Sequence, residues 1–397
     1  MTSHNKLPRV FMMDLWATVS YYTAYLSKAL KQEDLPVTVG SITYYLDPKC
    51  YSSRGIKLHP GMMDVVGRFS LPKLPRRLLK FPEAMLNLAA LTARFAVAPP
   101  DVIHVQYLPM LKWRVPLDLW FLKFCRSRGS KIVLTVHDLL PHDTGERYKQ
   151  TFHRLYAMVD AIICHSDSIR TRLNAEFAVP LEKISVIPHG PFFYDLSVES
   201  ATQEGSASPF APDQLLVLWQ GIIFPYKGID LLLEAWQQVE AGCDNASLAI
   251  VGTGAPDLLG QIQTQVKDLG LQRVHLAFRF VSTEELVALY RAAAIVVYPY
   301  RAITTSGALA TGLALGKTIV ATDLPVFREL LHNRENALLV PQDPPALAAA
   351  ILELAGDPAL RGRLGEAVRR MDYGDASWAA IARDTIAVYR QVCGINT

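Results

Sequence analysis

The sequence predicts an α/β protein built from two doubly wound domains, each a parallel sheet covered by helices on both faces. A chain of 397 residues is too long for one typical core. Short β-branched runs alternate with helical segments, which is typical of buried parallel strands. The alternation stops at a polar, proline-containing stretch and then restarts. We therefore predict an N-terminal domain over residues 1–192, a linker over 193–213, a second domain over 214–375, and a terminal helix over 376–397 that packs back on the first domain.

The composition narrows the functional classes. Hydrophobic residues make up 50% and charged residues 19% of the chain, which is ordinary for a soluble globular protein. The net charge of +3 is too small to favour nucleic acid as a partner. The five cysteines form no metal-binding or disulfide pattern, which favours a reducing cytoplasm. No apolar run reaches the roughly 18–20 residues of a membrane span, and no signal peptide is evident.

In the first domain the strands are predicted where short apolar, β-branched runs occur, and the helices where apolar residues recur at helical spacing. Gly129 ends one of these helices, as a glycine after the last helical turn commonly does. The predicted strands cover residues 10–13, 37–40, 102–105, 131–136, 161–164 and 184–187. The predicted helices cover residues 21–30, 117–128, 148–158 and 168–177. Residues 41–67 are predicted as loops with one short strand.

The second domain repeats the same alternation. Its strands are predicted over residues 215–220, 247–251, 274–277, 294–297, 319–321 and 337–340. Its helices are predicted over residues 228–239, 258–269, 283–291, 308–315, 326–331 and 345–354, and a last helix covers 376–392. Ligands of such sheets bind at the carboxyl ends of the strands, so residues that follow a strand are the candidates for a site.

The first candidate site is the turn that follows the strand at 294–297. Thr304, Thr305, Ser306 and Gly307 are small, polar or flexible, and a helix begins just beyond them. The N–H groups and the positive dipole end of a helix favour an anion by roughly 0.3–1 kcal/mol, so the turn is suited to a phosphate. The alternative is that these hydroxyls only cap the helix.

The second candidate is the segment from Gly221 to Gly228, which leaves a strand and opens a helix. Gly221 permits a close backbone approach, and Lys227 places a cation where the helix dipole disfavours one. A lysine at that place needs an anionic partner, and a diphosphate is a natural one. The alternative is a solvated surface lysine.

Two further motifs follow strands. His137 and Asp138 end a strand of the first domain, where His137 can hydrogen-bond a substrate hydroxyl and Asp138 can orient it. An ordinary core or surface histidine is the alternative. Gly252 and Gly254 form half of a dinucleotide fingerprint, but Asp257 stands where its third glycine belongs. A tight turn is therefore predicted there, with no NAD site.

A basic and apolar stretch covers residues 68–95. The part between Arg68 and Phe81 alternates cationic and large apolar residues, which is typical of a segment that lies on an anionic membrane surface. The alternative is a solvated face whose long side chains snorkel.

Taken together and in this order, the motifs resemble glycosyltransferase family 4, which has the GT-B fold. The resemblance covers most of residues 100–392. The matching segments are LTVHDLLPH (134–142), ICHSDSIRTRL (163–173), KISVIPHG (183–190), GIIFPYKGIDLLLEA (221–235), LAIVGTG (248–254), VSTEELVALYRAAAIVVYPYR (281–301) and GKTIVATDLPVFREL (316–330). It implies two Rossmann-like domains with a cleft between them, a nucleotide-sugar donor in the second domain and a glycan or lipid-linked acceptor in the first.

The resemblance also implies roles for single residues. Lys227, flanked by Gly221 and Gly228, corresponds to the family's lysine on the donor diphosphate. Thr304, Thr305, Ser306 and Gly307 correspond to the loop that meets the donor phosphates and sugar, and His137 to a histidine near that sugar. The family is metal-independent, usually retaining and without a bound cofactor, so we expect no metal site here.

The sequence departs from the family pattern at several positions. The family usually has two glutamates at the positions held here by Ile303 and Thr311. It often adds an arginine next to the glycine or, in some members, a few residues on, where this sequence has Ile222 and Phe224. The glycine-rich loop after the first strand is also absent. Thr311 remains a candidate for a neutral hydrogen bond to the donor. These departures leave open two alternatives, a catalytically silent binding subunit and an enzyme related to nucleotide-sugar epimerases.

Overall fold

The computed structural model describes residues 7–44, 47–66, 68–69, 73–112, 116–140, 145–192, 214–303, 306–371, 374 and 377–395. Its internal contacts divide the chain into two compact units. Unit 1 consists of Met1–Gly190 and Tyr373–Thr397, and unit 2 of Pro191–Asp372. Unit 1 is therefore made of two separate stretches of sequence.

Unit 1 contains a sheet of six parallel strands in the order β2-β1-β3-β4-β5-β6. The strands are β1 (Val10–Asp14), β2 (Val37–Ser41), β3 (Val102–Tyr107), β4 (Lys131–Val136), β5 (Ala161–Cys164) and β6 (Ile184–Val186). The helices are α1 (Ser20–Gln32), α2 (Lys73–Val97), α3 (Leu117–Ser127), α4 (Lys149–Met158), α5 (Asp167–Phe177) and, far along the chain, α13 (Trp378–Cys393).

Helix α13 packs against α1 within unit 1. The Trp378 ring at its start stacks on Tyr25 with ring centroids 5.4 Å apart and planes 15° apart. The same ring lies against Gly190, where an added Cβ would come within 2.5 Å of it. Near the other end of the helix, the Tyr389 hydroxyl reaches His104 of β3. The helix therefore contributes two large aromatic side chains to unit 1.

Unit 2 contains a second sheet of six parallel strands, in the order β12-β11-β10-β7-β8-β9. The strands are β7 (Leu215–Ile223), β8 (Ala246–Gly254), β9 (Val274–Ala277), β10 (Ile295–Tyr298), β11 (Ile319–Thr322) and β12 (Leu338–Val340). The helices are α6 (Ile229–Gly242), α7 (Pro256–Asp268), α8 (Thr283–Ala292), α9 (Gly307–Ala314), α10 (Pro325–Arg328), α11 (Pro344–Gly356) and α12 (Pro358–Arg369).

The predicted α/β class and the two parallel sheets are confirmed, because both sheets are parallel and their central strands are buried. The observed strand limits differ most from the predicted ones at the carboxyl ends of β7 and β8. Strands β7 and β8 continue to Ile223 and Gly254, so Gly221 and Gly252 lie inside paired strands. The tight turn predicted at Gly252 and Gly254 is therefore wrong: strand pairing extends that far because no side chain stands between the two backbones.

Two helices were not predicted, and one strand was predicted wrongly. Helix α12 follows α11 after a single residue, Asp357, whose side chain caps it. Helix α2 contains Pro82, and apolar residues lie on its exposed as well as its buried side, so its apolar face is not bounded by polar residues as in an ordinary surface helix. Within 41–67 the described residues form no strand; they contain a 3-10 turn at Ser52–Arg54 and one bridge from Leu58 to Val39.

Candidate active site

The carboxyl ends of β7 and β8 approach each other through two glycines. Gly221 and Gly252 are partners in the parallel ladder, and their φ angles are +151° and +156°. A Cβ at Gly252 would lie 1.8 Å from the Gly221 carbonyl oxygen. Only glycine fits at position 252 without moving the strands apart, so the surface between the two strand ends consists of backbone atoms.

The turn after β7 holds Lys227 in place. It is a 3-10 turn, Pro225–Lys227, followed by Gly228 with φ +65° at the start of α6. A Cβ at Gly228 would lie 1.8 Å from the carbonyl oxygen of Pro299, which follows β10. The turn is therefore packed backbone to backbone against the next loop of the sheet.

Arg301 clamps the same turn from the side. Its backbone N–H donates to the Tyr226 carbonyl at 2.7 Å. Its guanidinium donates to both carboxylate oxygens of Asp230 on α6, at 2.7 and 2.5 Å. A two-point arginine–carboxylate pair fixes orientation as well as distance, so the loop after β10 and the start of α6 are held together.

The described neighbours of the Lys227 ammonium are aromatic. Its Nζ lies 5.8 Å from the centre of the Trp219 ring and 5.4 Å from that of Tyr300. Among the residues that the structure describes, no carboxylate lies within 4 Å of it. Burial lowers the pKa of Lys227 to about 8. The side chain is partly buried, so the solvated surface lysine of the alternative interpretation is not what the fold provides.

The other cations near this edge are already paired. Arg279 pairs with Glu285, Arg301 with Asp230 and Arg328 with Asp323. These carboxylates neutralise the guanidinium groups where they stand. Within the described part of unit 2, Lys227 is therefore the cation at this edge that is available to an added anion.

The turn between β10 and α9 is only partly described. Thr304 and Thr305 lie outside the described residues. The Ser306 hydroxyl accepts a hydrogen bond from the Leu309 N–H at 3.1 Å, as an N-cap does. Gly307 begins α9, and a Cβ there would lie 3.1 Å from the Phe192 ring. The buried Thr311 hydroxyl donates to the Gly307 carbonyl at 2.8 Å, so it is used inside the helix.

In unit 1 the structure places His137 and Asp138 directly after β4. Asp138 is exposed, whereas His137 is partly buried beside the Tyr22 ring, with centroids 4.8 Å apart. His137 Nε2 lies 3.0 Å from the Gln106 side-chain oxygen, and His137 Nδ1 lies 3.4 Å from His165 Nε2. Both ring nitrogens of His137 are therefore engaged within unit 1.

His137 belongs to a group of four histidines, here called the histidine cluster: His104, His137, His165 and His189. Burial is the main cause that lowers their pKa values, to about 3 for His104 and His189 and about 4 for His165. The pKa of His137 lies well below its usual value because of burial and its histidine neighbours. The cluster is therefore uncharged at neutral pH.

The sequence predicted only one member of the cluster. His165 and His189 lie in the motifs 163–173 and 183–190, but nothing in those motifs gave them a role. Gln106 and His104 alternate with apolar residues inside β3, where polar side chains are unusual. A buried polar residue near the carboxyl end of a predicted strand is the signal by which they could have been found.

The described residues contain neither a metal-ligand cluster nor a membrane-spanning helix. No three His, Cys, Asp or Glu side chains there gather as ligands of a metal ion would. No helix in the described ranges combines the length and the apolar character that are needed to cross a bilayer.

Two family models match the sequence, and together they cover more than half of it. The model described as "Glycosyltransferase Family 4" matches residues 19–190, and the model described as "Glycosyl transferases group 1" matches residues 214–357. The first contains His137 and the histidine cluster, and the second contains Lys227 and the turn after β10.

Curated relatives agree with these models. A D-inositol 3-phosphate glycosyltransferase of Jonesia denitrificans is 25% identical over 321 residues, which are 75% of this chain and 74% of that one. A phosphatidyl-myo-inositol mannosyltransferase of Mycobacterium tuberculosis is 32% identical over 181 residues, 43% of this chain and 45% of that one. An uncharacterised glycosyltransferase of Methanocaldococcus jannaschii is matched over 59% of its length, at 25% identity.

Solved structures share the fold over nearly the whole chain. A sucrose-phosphate synthase of Thermosynechococcus elongatus matches with a TM-score of 0.72 at 21% identity, over 98% of this chain and 100% of that one. HepE of Anabaena, solved with UDP and glucose, matches with a TM-score of 0.67 at 18% identity, over 96% and 98%.

Proposed function

The chain belongs to glycosyltransferase family 4, and on this premise we propose that it moves a sugar from a nucleoside-diphosphate donor to a hydroxyl of a glycan or lipid-linked acceptor. The observation that carries the proposal is Lys227. A partly buried ammonium beside bare glycine backbone, without a carboxylate among its described neighbours, is suited to a diphosphate.

In the proposed reaction the acceptor oxygen forms a bond to the anomeric carbon of the donor sugar. The bond from that carbon to the diphosphate breaks, and the nucleoside diphosphate leaves with the electron pair. The acceptor proton passes to a phosphate oxygen. We propose that the Lys227 ammonium balances the developing charge without a metal ion or cofactor. We further propose that the acceptor attacks from the face that the diphosphate leaves, which retains the anomeric configuration.

The donor site is assigned to unit 2. Lys227 and the backbone at Gly221 and Gly228 contact the diphosphate, and the turn that contains Thr304 to Gly307 meets the phosphates and the sugar. Ile222 and Phe224 are exposed apolar residues where the family often has arginine. The diphosphate therefore depends more on Lys227 than it would in a site with two cations.

The donor site is tested by thermal stabilisation. UDP, GDP, ADP, CMP and dTDP and their sugars are added to the wild type and to Lys227→Met, which keeps the apolar stem. A ligand at 100 times its dissociation constant adds about 2.7 kcal/mol of stability, so one base should raise the melting temperature of the wild type only.

The matched control for this experiment is Lys317→Met. Burial lowers the pKa of Lys317 to about 8 as well, but this lysine precedes β11 at the opposite edge of the sheet and donates to the Arg291 carbonyl. Its variant should keep the full nucleotide effect relative to its own unliganded form. If no nucleotide stabilises the wild type, or if Lys227→Met responds as the wild type does, the donor site is not at Lys227.

We propose that the acceptor is lipid-linked and is reached at a membrane surface, through the segment between Arg68 and Phe81 and the helix α2 that continues it. The name of the mycobacterial relative, which covers 43% of this chain, supports a lipid acceptor. The exposed side of α2 supports a membrane contact, because several large apolar side chains are exposed on it; Leu78, Leu86 and Val97 are 66%, 53% and 86% exposed.

The cations of this surface should attract anionic lipid less strongly than the sequence suggests, because two of them already have partners. Arg68 pairs with Asp64 at 3.3 Å, and Lys80 donates to the Trp16 carbonyl at 3.2 Å. Apolar burial must then supply most of the membrane affinity, so the dependence on anionic lipid should be modest.

A sedimentation assay tests the membrane contact. Vesicles of neutral lipid and of neutral lipid with about one-third anionic lipid are mixed with the wild type, with Leu78→Gln/Leu86→Gln, and with Leu181→Gln as a control for an exposed leucine outside α2. We expect the double variant to lose binding and the control to keep it. A wild type that stays in the supernatant with both vesicles refutes the membrane contact and leaves the donor site untouched.

A catalytically silent binding subunit is the second candidate. It is favoured by Ile303 and Thr311 at the positions of the family's glutamates, and by the Thr311 hydroxyl, which donates to its own helix. It predicts nucleotide binding without transfer or hydrolysis of any donor sugar. Measured turnover that is lost in Lys227→Met excludes it.

A further inference from the structure

A line of hydrogen-bonding groups crosses the carboxyl-end region of the unit 1 sheet. At one end the Tyr389 hydroxyl lies 2.6 Å from His104 Nδ1, and His104 Nε2 lies 3.1 Å from the Gln106 carboxamide. The other side of that carboxamide lies 3.0 Å from His137 Nε2. At the far end His137 Nδ1 lies 3.4 Å from His165 Nε2, and His165 Nδ1 lies 3.0 Å from the Ile187 carbonyl oxygen. Each neutral imidazole in it has one donor and one acceptor, so the protons can be counted.

The Ile187 carbonyl oxygen fixes the first proton in the line, because a carbonyl oxygen can only accept a hydrogen bond. His165 must therefore carry its proton on Nδ1, and its Nε2 is an acceptor in the neutral ring. The atom that faces this acceptor is His137 Nδ1. His137 must supply the proton from Nδ1, which leaves His137 Nε2 as an acceptor in turn.

Gln106 decides whether that arrangement is stable. With its oxygen toward His137 Nε2, the carboxamide would place two acceptors against each other at 3.0 Å. A rotation of the carboxamide by 180° exchanges its oxygen and nitrogen without moving any other group, and its NH₂ then donates to His137. The rotation gives up a contact from Gln106 Nε2 to the Met12 sulfur at 3.1 Å, which is a weak acceptor.

The same rotation fixes His104. The Gln106 oxygen now faces His104 Nε2, which must carry the proton, and the Thr135 hydroxyl at 2.7 Å accepts from the same nitrogen. His104 Nδ1 then accepts from the Tyr389 hydroxyl. Every nitrogen in the line has a partner, and all three histidines stay neutral.

We propose that Gln106 is a positioning residue that holds His137 as the neutral imidazole with its proton on Nδ1. The two ends of one carboxamide contact two histidines, so the tautomers of His104 and His137 change together. Both nitrogens of His137 are then committed within unit 1. What His137 offers a ligand is the uncharged ring itself, which can pack against a sugar and does not attract phosphate as an imidazolium would.

The direct test is nitrogen NMR of protein labelled with ¹⁵N-histidine, in which Nδ1–H, Nε2–H and doubly protonated rings give different spectra. The His137 signals are assigned by their loss in His137→Asn. We expect wild-type His137 as the Nδ1–H tautomer, unchanged between pH 6 and 8. An Nε2–H tautomer at His137, or a doubly protonated His165 that donates to both of its neighbours, overturns the proposal.

The variant Gln106→Glu sharpens the test. An ionised carboxylate can only accept, so both His104 and His137 must turn an Nε2–H toward it, and His137 should become Nε2-protonated. Because burial raises the pKa of a carboxyl group at this position, the spectrum is read at a pH where that group is ionised. Met12→Leu is the control; it removes the sulfur contact at nearly constant volume and should leave both tautomers as in the wild type. A Gln106→Glu protein with an unchanged Nδ1–H signal at His137 would refute the role of Gln106.

Only the consequence for turnover depends on the proposed function. If transfer is measurable, Gln106→Leu should lower kcat with little change in the donor KM, and Gln106→Asn should not restore it because its carboxamide is one methylene shorter. The nucleotide-induced stabilisation that depends on Lys227 should persist in Gln106→Leu. Loss of that stabilisation in the wild type would refute the donor site and leave the tautomer result intact.

Discussion

Both units contain a six-stranded parallel sheet with polar residues at the carboxyl ends of its strands. The two edges differ in charge, because one presents a cation and the other presents neutral histidines. In unit 2 the Lys227 ammonium lies between aromatic rings and has no anionic partner among the described residues. In unit 1 the histidine cluster is neutral, and its nitrogens bond one another and the backbone. Position at the carboxyl edge therefore does not determine what an edge recognises. An edge with an unpaired charge attracts an anion, whereas an edge whose polar groups are already hydrogen-bonded selects a ligand by shape.

The largest expected difference between the two units is in their stability at acidic pH. Buried histidines with lowered pKa values bind protons less readily than the unfolded chain does, so unit 1 loses stability as pH falls below about 6.5. Asp14 and Asp118, whose pKa values burial raises to about 6 and 7, oppose this, but they are two groups against the four clustered histidines and His59, whose pKa burial also lowers.

At 1.36 kcal/mol per group and pH unit, we expect a net loss of roughly 3–4 kcal/mol between pH 6.5 and 5. Hydrogen exchange resolved by peptide checks the prediction, with unit 2 as the internal control, since His275 and His332 are both exposed there. Equal loss of protection in both units at pH 5 contradicts it.

The rigidity around Lys227 is tested by Gly228→Ala. The new Cβ meets the Pro299 carbonyl oxygen and also sits at φ +65°, so we expect a loss of about 2–3 kcal/mol and of nucleotide binding. Gly270→Ala is the matched control, because Gly270 has φ +67° and nothing within 4 Å. It should cost about 1 kcal/mol and leave nucleotide binding intact. Denaturant unfolding measures both, and equal losses would mean that the turn yields without strain.

The charge on Lys227 is tested by pH on the alkaline side. A diphosphate needs the protonated lysine, and the pKa of about 8 means that this form declines above pH 8. Nucleotide affinity should fall about tenfold between pH 7 and 9, which is about 1.4 kcal/mol. Calorimetric titration of the wild type and of Lys227→Arg, which stays charged throughout, distinguishes this loss from a general effect of pH. A wild-type affinity that is constant over this range rules out Lys227 as the diphosphate's main cation.

The smallest effect is expected from changing the ion pair between Arg301 and Asp230. Arg301→Lys keeps the charge but loses the two-point contact to Asp230, and both partners are more than a third exposed, so its cost in stability should stay below about 1 kcal/mol. Nucleotide affinity should fall about two- to fivefold because the turn loosens. Arg328→Lys is the control; Arg328 makes the same two-point contact to Asp323 after β11. If both variants bind nucleotide equally well, the clamp is not part of the site.

Most of the fold could be predicted from the sequence, and the reason is local. Strands β5 and β9 were predicted at their observed limits, because short apolar runs between polar residues leave little choice of conformation. Helix α2 was not predicted, because Pro82 interrupts the segment and many of its exposed positions are apolar. Strand pairing through Gly221 and Gly252 was missed because it depends on two strands at once.

The site divides in the same way. The need of Lys227 for an anion follows from its neighbours in sequence, and the structure adds the rings of Trp219 and Tyr300. The line from Tyr389 to Ile187 joins residues up to 285 positions apart, which only the sheet order and α13 bring together. Nothing in any one segment of the sequence indicates it.

The division of unit 1 into two stretches also has a consequence for how the protein is made. During synthesis the ribosome completes all of unit 2 before it reaches Trp378 and Tyr389. Until then the Tyr25 ring and His104 lack the aromatic partners that α13 brings them. Chains normally fold in the order in which they emerge, but here the second-made unit can be finished while the first is still incomplete. A released chain truncated after residue 376 should therefore carry a protease-resistant unit 2 and a protease-sensitive unit 1.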